Sequence, residues 1–207
     1  MNRRPIKSRN SAVAHRITRW LAGTAVMPNH ISMMSMVFAA MAGLAFSFSS
    51  QGNFVVQAVL LLLAAFMCQA RLLCNLFDGM LATEAGKSSS GGAVWNEFPD
   101  RIADIFILAG LGFAIDQPAL GWAAAAMAVL TAYIRELGSH ITGSVDFSGP
   151  MAKPHRMAVV TVASLLAIPE AYWFGTASIL RLSLWLVFLG ALYTGFNRLR
   201  RLLHSLH

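Results

Sequence analysis

The chain has 207 residues, 57% of them hydrophobic and 12% charged, with a mean hydropathy of +0.59. Ordinary soluble domains carry about 25% charged residues, so this composition excludes a water-soluble globular enzyme and a solvated, disordered tail. The net charge of +7 does not indicate nucleic acid, because the basic residues gather at the two ends, Arg3, Arg4, Lys7, Arg9, Arg16 and Arg19, then Arg198, Arg200 and Arg201; such flanks meet anionic lipid headgroups.

The N-terminus does not read as a cleaved signal peptide, since its basic stretch is long and no small-residue cleavage site follows a short apolar segment. Val13, Ile17, Trp20 and Leu21 then recur at helical spacing opposite His15, Arg16 and Arg19. That spacing predicts an amphipathic helix lying on the membrane rather than crossing it. Six apolar stretches follow, at 31–49, 54–77, 94–115, 119–141, 157–173 and 179–196, near the roughly 20 residues that span a bilayer core as a helix. Pro28 and Asn29 punctuate the first start, and Gln51-Gly52-Asn53 and Asp116-Gln117-Pro118 supply hairpin turns. Cys68 and Cys74 share one apolar run, which suits packing and offers no disulfide or CxxC framework.

The expected fold class is therefore an all-α membrane protein with six transmembrane helices plus an N-terminal interfacial amphipathic helix. It forms a single domain over 1–207, with a tail and juxtamembrane helix at 1–27, a six-helix bundle at 28–197 and a basic tail at 198–207. With six spans, one side of the membrane carries twelve basic residues and the other carries Arg181 alone. Both termini are expected on the cytoplasmic side of an inner membrane.

Arg71, Asp78, Glu97, Asp100, Arg101, Asp104, Arg135 and Glu136 interrupt these apolar spans or their cytoplasmic edge, where a mid-helix charge costs about 2.5–3.5 kcal/mol. Helical spacing aligns Arg71, Asn75, Asp78 and Ala82 on the second span, and Gly92, Asn96 and Asp100 on the third. Glu97, Asp100 and Asp104 form an overlapping strip. Oxygen donors in this number suit Mg²⁺ or Mn²⁺, with no thiolate or paired imidazole in competition. The alternative is structural pairing with Arg71, Arg101 and Arg135, but five acids outnumber three arginines. Arg135 and Glu136, with His140, either line an acceptor pocket, or Glu136 pairs with Arg101.

At these residues the sequence resembles the CDP-alcohol phosphatidyltransferases, whose signature is D-x2-D-G-x2-A-R-x8-G-x3-D-x3-D. The corresponding positions are Asn75, Asp78, Gly79, Ala82, Thr83, Gly92, Asn96 and Asp100, with the spacing kept throughout. The resemblance covers nearly the whole chain, including a Pro28-Asn29-His30-Ile31-Ser32 opening to the first span. It implies one or two Mg²⁺ or Mn²⁺ ions holding the diphosphate of a CDP-linked lipid while an alcohol or alcohol phosphate attacks and CMP leaves. Asp100 would be the catalytic base, and Asn75, Asp78, Asn96, Glu97, Asp100 and Asp104 the metal shell. Asn29, Ser32, Gly79, Ala82 and Gly92 would bind the CDP moiety; Lys153, Arg156 and Arg135 would bind the acceptor or its phosphate. Members of such families are often homodimers.

The chain departs from the signature at Asn75, Asn96 and Thr83. Two asparagines remove two negative charges from the ion site, and Glu97 and Asp104 are extra acids placed to restore them. Thr83 cannot replace a guanidinium, for which Arg71, Arg101 or Lys87 stand nearby. Two other functions fit these residues: a catalytically silent lipid-binding membrane scaffold, favoured by the three departures, and a transporter or proton relay. Against the relay stand the lack of inverted repeats and the gathering of acids at one membrane face.

Overall fold

A computed structural model describes residues 11–87 and 91–206, and over these seven helices follow one another without a strand. They are α1 (Ala12–Ala22), α2 (Pro28–Ser49), α3 (Phe54–Glu84), α4 (Gly92–Ala114), α5 (Pro118–Thr142), α6 (Lys153–Phe174) and α7 (Ser178–His204). The basic residues Arg3, Arg4, Lys7 and Arg9 lie outside the described residues.

Local chemistry sets the ends. Proline opens α2, α5 and α6, where its fixed φ suits a first turn and its missing N–H costs nothing. Asn53 caps α3 by accepting the Val56 amide at 3.1 Å. Helices α5 and α6 stop at Gly143 and Gly175, which take left-handed φ values of 70° and 63°. Glu170 ties the turn into α7, accepting from the Thr176 hydroxyl at 2.6 Å and the Ser178 and Ile179 amides at 2.6 and 3.0 Å.

The long helices close a ring in the order α2, α3, α6, α7, α5, α4, each packed on its neighbours. Inside lie Phe46, Leu61, Ile107, Leu108, Leu111, Met157 and Leu184, all buried. Helices α2 and α4 touch backbone to backbone at Gly43 and Gly110: a Cβ on Gly110 would lie 2.6 Å from the Gly43 Cα. Such small-residue contacts let helices approach where lipid gives no hydrophobic drive between them. The outer surface is apolar, with Leu44, Phe48, Val59, Phe66, Leu182 and Leu189 exposed. Water would not tolerate that belt; acyl chains do.

Four of these helices, α2, α3, α6 and α7, are long and apolar enough to cross a membrane, the mark of an integral membrane protein. Helices α4 and α5 have 23 and 25 residues but fall outside that set; α4 carries Glu97, Asp100, Arg101 and Asp104, and α5 is rich in alanine. Two expected boundaries shift. Helix α3 continues past 77 to Glu84, so its 31 residues reach about 46 Å at 1.5 Å per residue. That exceeds a hydrocarbon core of about 30 Å, which places its polar last turns at the edge of the apolar stretch. The expected tail at 198–207 is helical through His204.

At the same end, α1 lays Ala14 and Thr18 on Leu76 and Met80 of α3. His15 meets Glu84 at 3.1 Å, while Val13 and Trp20 face outward.

Candidate active and metal site

Because the helices alternate in direction, the N-terminal turns of α2, α4 and α6 meet the C-terminal turns of α3, α5 and α7 at one end of the ring. Nearly all the charge inside the bundle collects there. Ser32 comes from α2; Arg71, Asn75 and Asp78 from α3; Glu97, Asp100, Arg101 and Asp104 from α4; Arg135 and Glu136 from α5; Lys153 and Arg156 from α6; Arg198 from α7.

Asp100 is the hub. Its Oδ1 accepts from the Asn75 carboxamide at 3.0 Å and lies 3.5 Å from the Arg71 guanidinium. Its Oδ2 is paired with the Lys153 ammonium and lies 4.0 Å from Arg101. Asp78 is also buried; its Oδ2 accepts from the Ser32 hydroxyl at 2.7 Å. Its Oδ1 is buried with no side-chain donor, the Gly79 backbone being the other group that bonds to this carboxylate, and such an atom forfeits its solvation for little in return. Asp78 stands close enough to Asp100 and Lys153 for both their charges to act on it.

The two extra acids do something else. Asp104 has each oxygen held by a guanidinium, Oδ1 by Arg71 at 3.1 Å and Oδ2 by Arg156 at 2.6 Å. Arg71 also donates to the Asp100 carbonyl at 3.3 Å, and Arg156 to the Met151 carbonyl at 3.0 Å. Glu97 turns sideways to α5, where its Oε2 takes Arg101 at 3.0 Å and pairs with Arg135. The strip of three acids expected from spacing is thus split between neighbours. Glu136 pairs with Arg135 at 2.8 Å rather than with Arg101.

Asn96 is exposed, whereas Asn75 is partly buried against Asp100. Gly79 is buried and Ala82 and Gly92 partly so, beside the same polar strip. Asn29 is partly buried at the start of α2, one turn before Ser32. Thr83 donates its hydroxyl to the Gly79 carbonyl at 2.7 Å, and Lys87 reaches the Thr24 and Val26 carbonyls at 2.6 and 3.2 Å. Neither of the two supplies a free cation in the place of the signature arginine. Among the described residues, no group of three or more His, Cys, Asp or Glu side chains is arranged as a metal site by itself. The donor set that fits a hard divalent cation is narrower: two carboxylates, Asp78 and Asp100, with the Asp78 Oδ1 buried and lacking any side-chain donor and a lysine ammonium on Asp100.

Arg198 is the residue that sequence reasoning missed. It sits 7% exposed and donates to the Ser148 carbonyl and the Thr131 carbonyl, both at 2.9 Å. It thereby ties α7 and α5 to the loop before α6. In that loop burial pushes the Asp146 carboxyl up, but the Ser148 hydroxyl and amide, with the Arg198 and Arg201 charges, hold it below the usual range. The signal was available: Arg198 lies one turn after Thr194, on the face of α7 that also carries Ala191.

No family model matches the chain. The chain is 28% identical to the inner membrane protein YnbA of Escherichia coli, covering 89% of this chain and 88% of that one. It is 30% identical to a bifunctional IPC transferase and DIPP synthase of Rubrobacter xylanophilus over 77% of this chain, which spans 36% of that longer protein. Among solved structures it resembles the phosphatidylinositol phosphate synthase of Mycobacterium tuberculosis. The manganese and citrate complex superposes with a TM-score of 0.73 at 19% identity, covering 91% of this chain and 88% of that one. The form with CDP-DAG bound gives 0.70 at 20% identity, covering 93% and 94%. The fold is shared.

Proposed function

We propose that the chain is a divalent-cation-dependent transferase that moves a phosphatidyl-type group from a CDP-activated lipid to an alcohol, with release of CMP. One observation carries this: Asp78 and Asp100, on two helices of the ring, stand near enough for their charges to interact, and a buried Asp78 oxygen there has no side-chain donor. The likeness in fold to a synthase seen with manganese and with CDP-DAG supports it, as does the transferase half of the Rubrobacter protein's name.

In this function Asp78 and Asp100 hold the cation, with the carboxamide oxygens of Asn75 and Asn96 in support. When bound, such an ion neutralises a diphosphate and stabilises the departing phosphate oxygen. Asp100 takes the proton of the acceptor hydroxyl as its oxygen bonds to the lipid-side phosphorus and the bond to CMP breaks. Asn75 orients the Asp100 carboxylate. Ser32 orients Asp78, and Gly79, Ala82, Gly92 and Asn29 line the nucleotide side. Lys153 and Arg135 are placed for the acceptor. Asp104 and Arg156 are assigned to holding the helices together and Glu97 to positioning Arg135, a smaller metal shell than six oxygen side chains would give.

All six long helices cross the membrane in this view, with α1 on its surface and both termini in the cytoplasm. The Lys and Arg asymmetry supports that orientation, and a homodimer is the expected assembly. The test is CMP release from CDP-diacylglycerol by purified protein with Mn²⁺ or Mg²⁺ and a panel of alcohols and alcohol phosphates. Metal-dependent turnover that Asp100→Asn abolishes is the expected result; none with any acceptor removes the assignment.

A second function, a silent lipid-binding scaffold, is favoured by one observation: both Asp100 oxygens are already occupied, by Asn75 and Lys153. Calorimetric binding of CDP-lipid without turnover would establish it.

A further inference from the structure

Lys153 occupies the place where a cation belongs. Its ammonium is paired with Asp100 Oδ2 and stands near enough to Asp78 for its charge to act there, without pairing with that second carboxylate. It leaves Asp78 Oδ1 without a side-chain donor. A monovalent ammonium with three N–H donors thus covers the site incompletely, whereas a divalent ion satisfies both acids through several oxygens. The other cations nearby are differently fixed. Arg71 and Arg156 are buried on Asp104, and Arg135 and Arg101 are held by Glu97. Lys153 alone among these five rests on Asp100 through a flexible stem rather than a planar fork. It is also the first residue of α6, next to the loop and 22% exposed.

We propose that Lys153 is a placeholder for the divalent cation: it neutralises Asp100 while the site is empty, and metal binding displaces it. The freed ammonium, tethered at the first turn of α6, then swings to the mouth of the site and offers its donors to a phosphate oxygen of the incoming substrate. Metal loading and cation delivery are thereby one event. This role rests on the metal-dependent transferase function and deepens it.

Manganese affinity tests the displacement without requiring turnover. With purified wild type and Lys153→Met, Mn²⁺ binding is followed by calorimetry and by the EPR signal of free ion. Removal of the competing charge is expected to tighten binding by about tenfold or more. Lys153→Arg, which keeps the charge, is expected to stay within a few-fold of wild type. The chain has three lysines, Lys7, Lys87 and Lys153, so amine acylation read by mass spectrometry resolves each. Mn²⁺ is expected to speed labelling of Lys153 and leave Lys87 unchanged.

Lys153→Met also serves as its own folding check, since its melting temperature without metal should fall and then rise on adding Mn²⁺ by more than wild type does. Unchanged or weaker Mn²⁺ affinity in Lys153→Met, or Lys153 labelling that slows with Mn²⁺, overturns the proposal even if CMP is released. Absence of CMP release together with tightened Mn²⁺ binding would instead remove the transferase function and leave the placeholder standing.

Discussion

Arg71 on α3 and Asp104 on α4 meet at 3.1 Å with 0% and 1% of their side chains exposed. Arg156 on α6 takes the other oxygen of the same carboxylate. One acid therefore ties three helices of the ring directly below Asp100. A buried pair of this kind adds little over a well-packed apolar contact, but removing one member leaves a charge stranded. Asp104→Asn strands Arg156 and leaves Arg71 only the Asp100 carboxylate, at 3.5 Å, as an acid partner, and is expected to cost about 3–5 kcal/mol. Thermal unfolding in detergent micelles checks this: the melting temperature should fall and Mn²⁺ should not restore it. A variant as stable as wild type that has lost only Mn²⁺ binding would make Asp104 a ligand.

Asp78 is the converse case. The Ser32 hydroxyl holds one oxygen at 2.7 Å and no side chain holds the other. Asp78→Asn keeps the shape and removes the charge, so the fold should survive while the cation is lost. Metal-dependent CMP release is expected to fall by about 100-fold or more, in line with losses on disturbing metal shells. The stabilisation that Mn²⁺ gives to wild type should vanish with it. Full Mn²⁺ stabilisation in this variant would move the ion elsewhere.

Much of the fold was legible because bilayer length and helical period are strong constraints. The long helices lie over the six apolar stretches, and Arg71, Asn75 and Asp78 do share one face. What misled was the one-dimensional strip on α4. Spacing puts Glu97, Asp100 and Asp104 near one another, yet Glu97 turns to α5 while Asp100 and Asp104 turn to α3 and α6, and only the ring order α2, α3, α6, α7, α5, α4 reveals this. The same blindness hid Arg198: a basic residue near a C-terminus reads as a headgroup anchor until the helix is seen to continue to His204 and bury it. The end of α3 was missed for a related reason, since an apolar-span criterion stops where the charges begin and the helix does not.

Glu97 distinguishes a ligand from a brace. Its Oε2 is engaged by Arg101 and Arg135, which joins α4 to α5 at the mouth of the site. Glu97→Gln weakens both contacts but keeps a hydrogen-bonding oxygen. The expected result is a rise in the KM for the acceptor, because Arg135 is no longer held, with Mn²⁺ affinity within about threefold of wild type; a lost metal ligand typically costs much more. Calorimetry with Mn²⁺ and initial rates over a range of acceptor concentration separate the two. Loss of Mn²⁺ binding in this variant would return Glu97 to the metal shell.

Two glycines should respond to one substitution with opposite signs. A Cβ on Gly110 would fall 2.6 Å from the Gly43 Cα, against backbone that cannot yield without parting α2 from α4. Gly110→Ala is expected to cost about 1–3 kcal/mol or more, as overpacking does. On Gly138 of α5 the new Cβ would meet only the Leu202 side chain, at 3.7 Å, an ordinary contact. There the gain in helix propensity should dominate, raising stability by about 0.5–1 kcal/mol. Melting temperatures of the two variants, measured in the same detergent, check both signs at once. If Gly110→Ala melts with wild type, α2 and α4 do not touch through their backbones in the membrane protein.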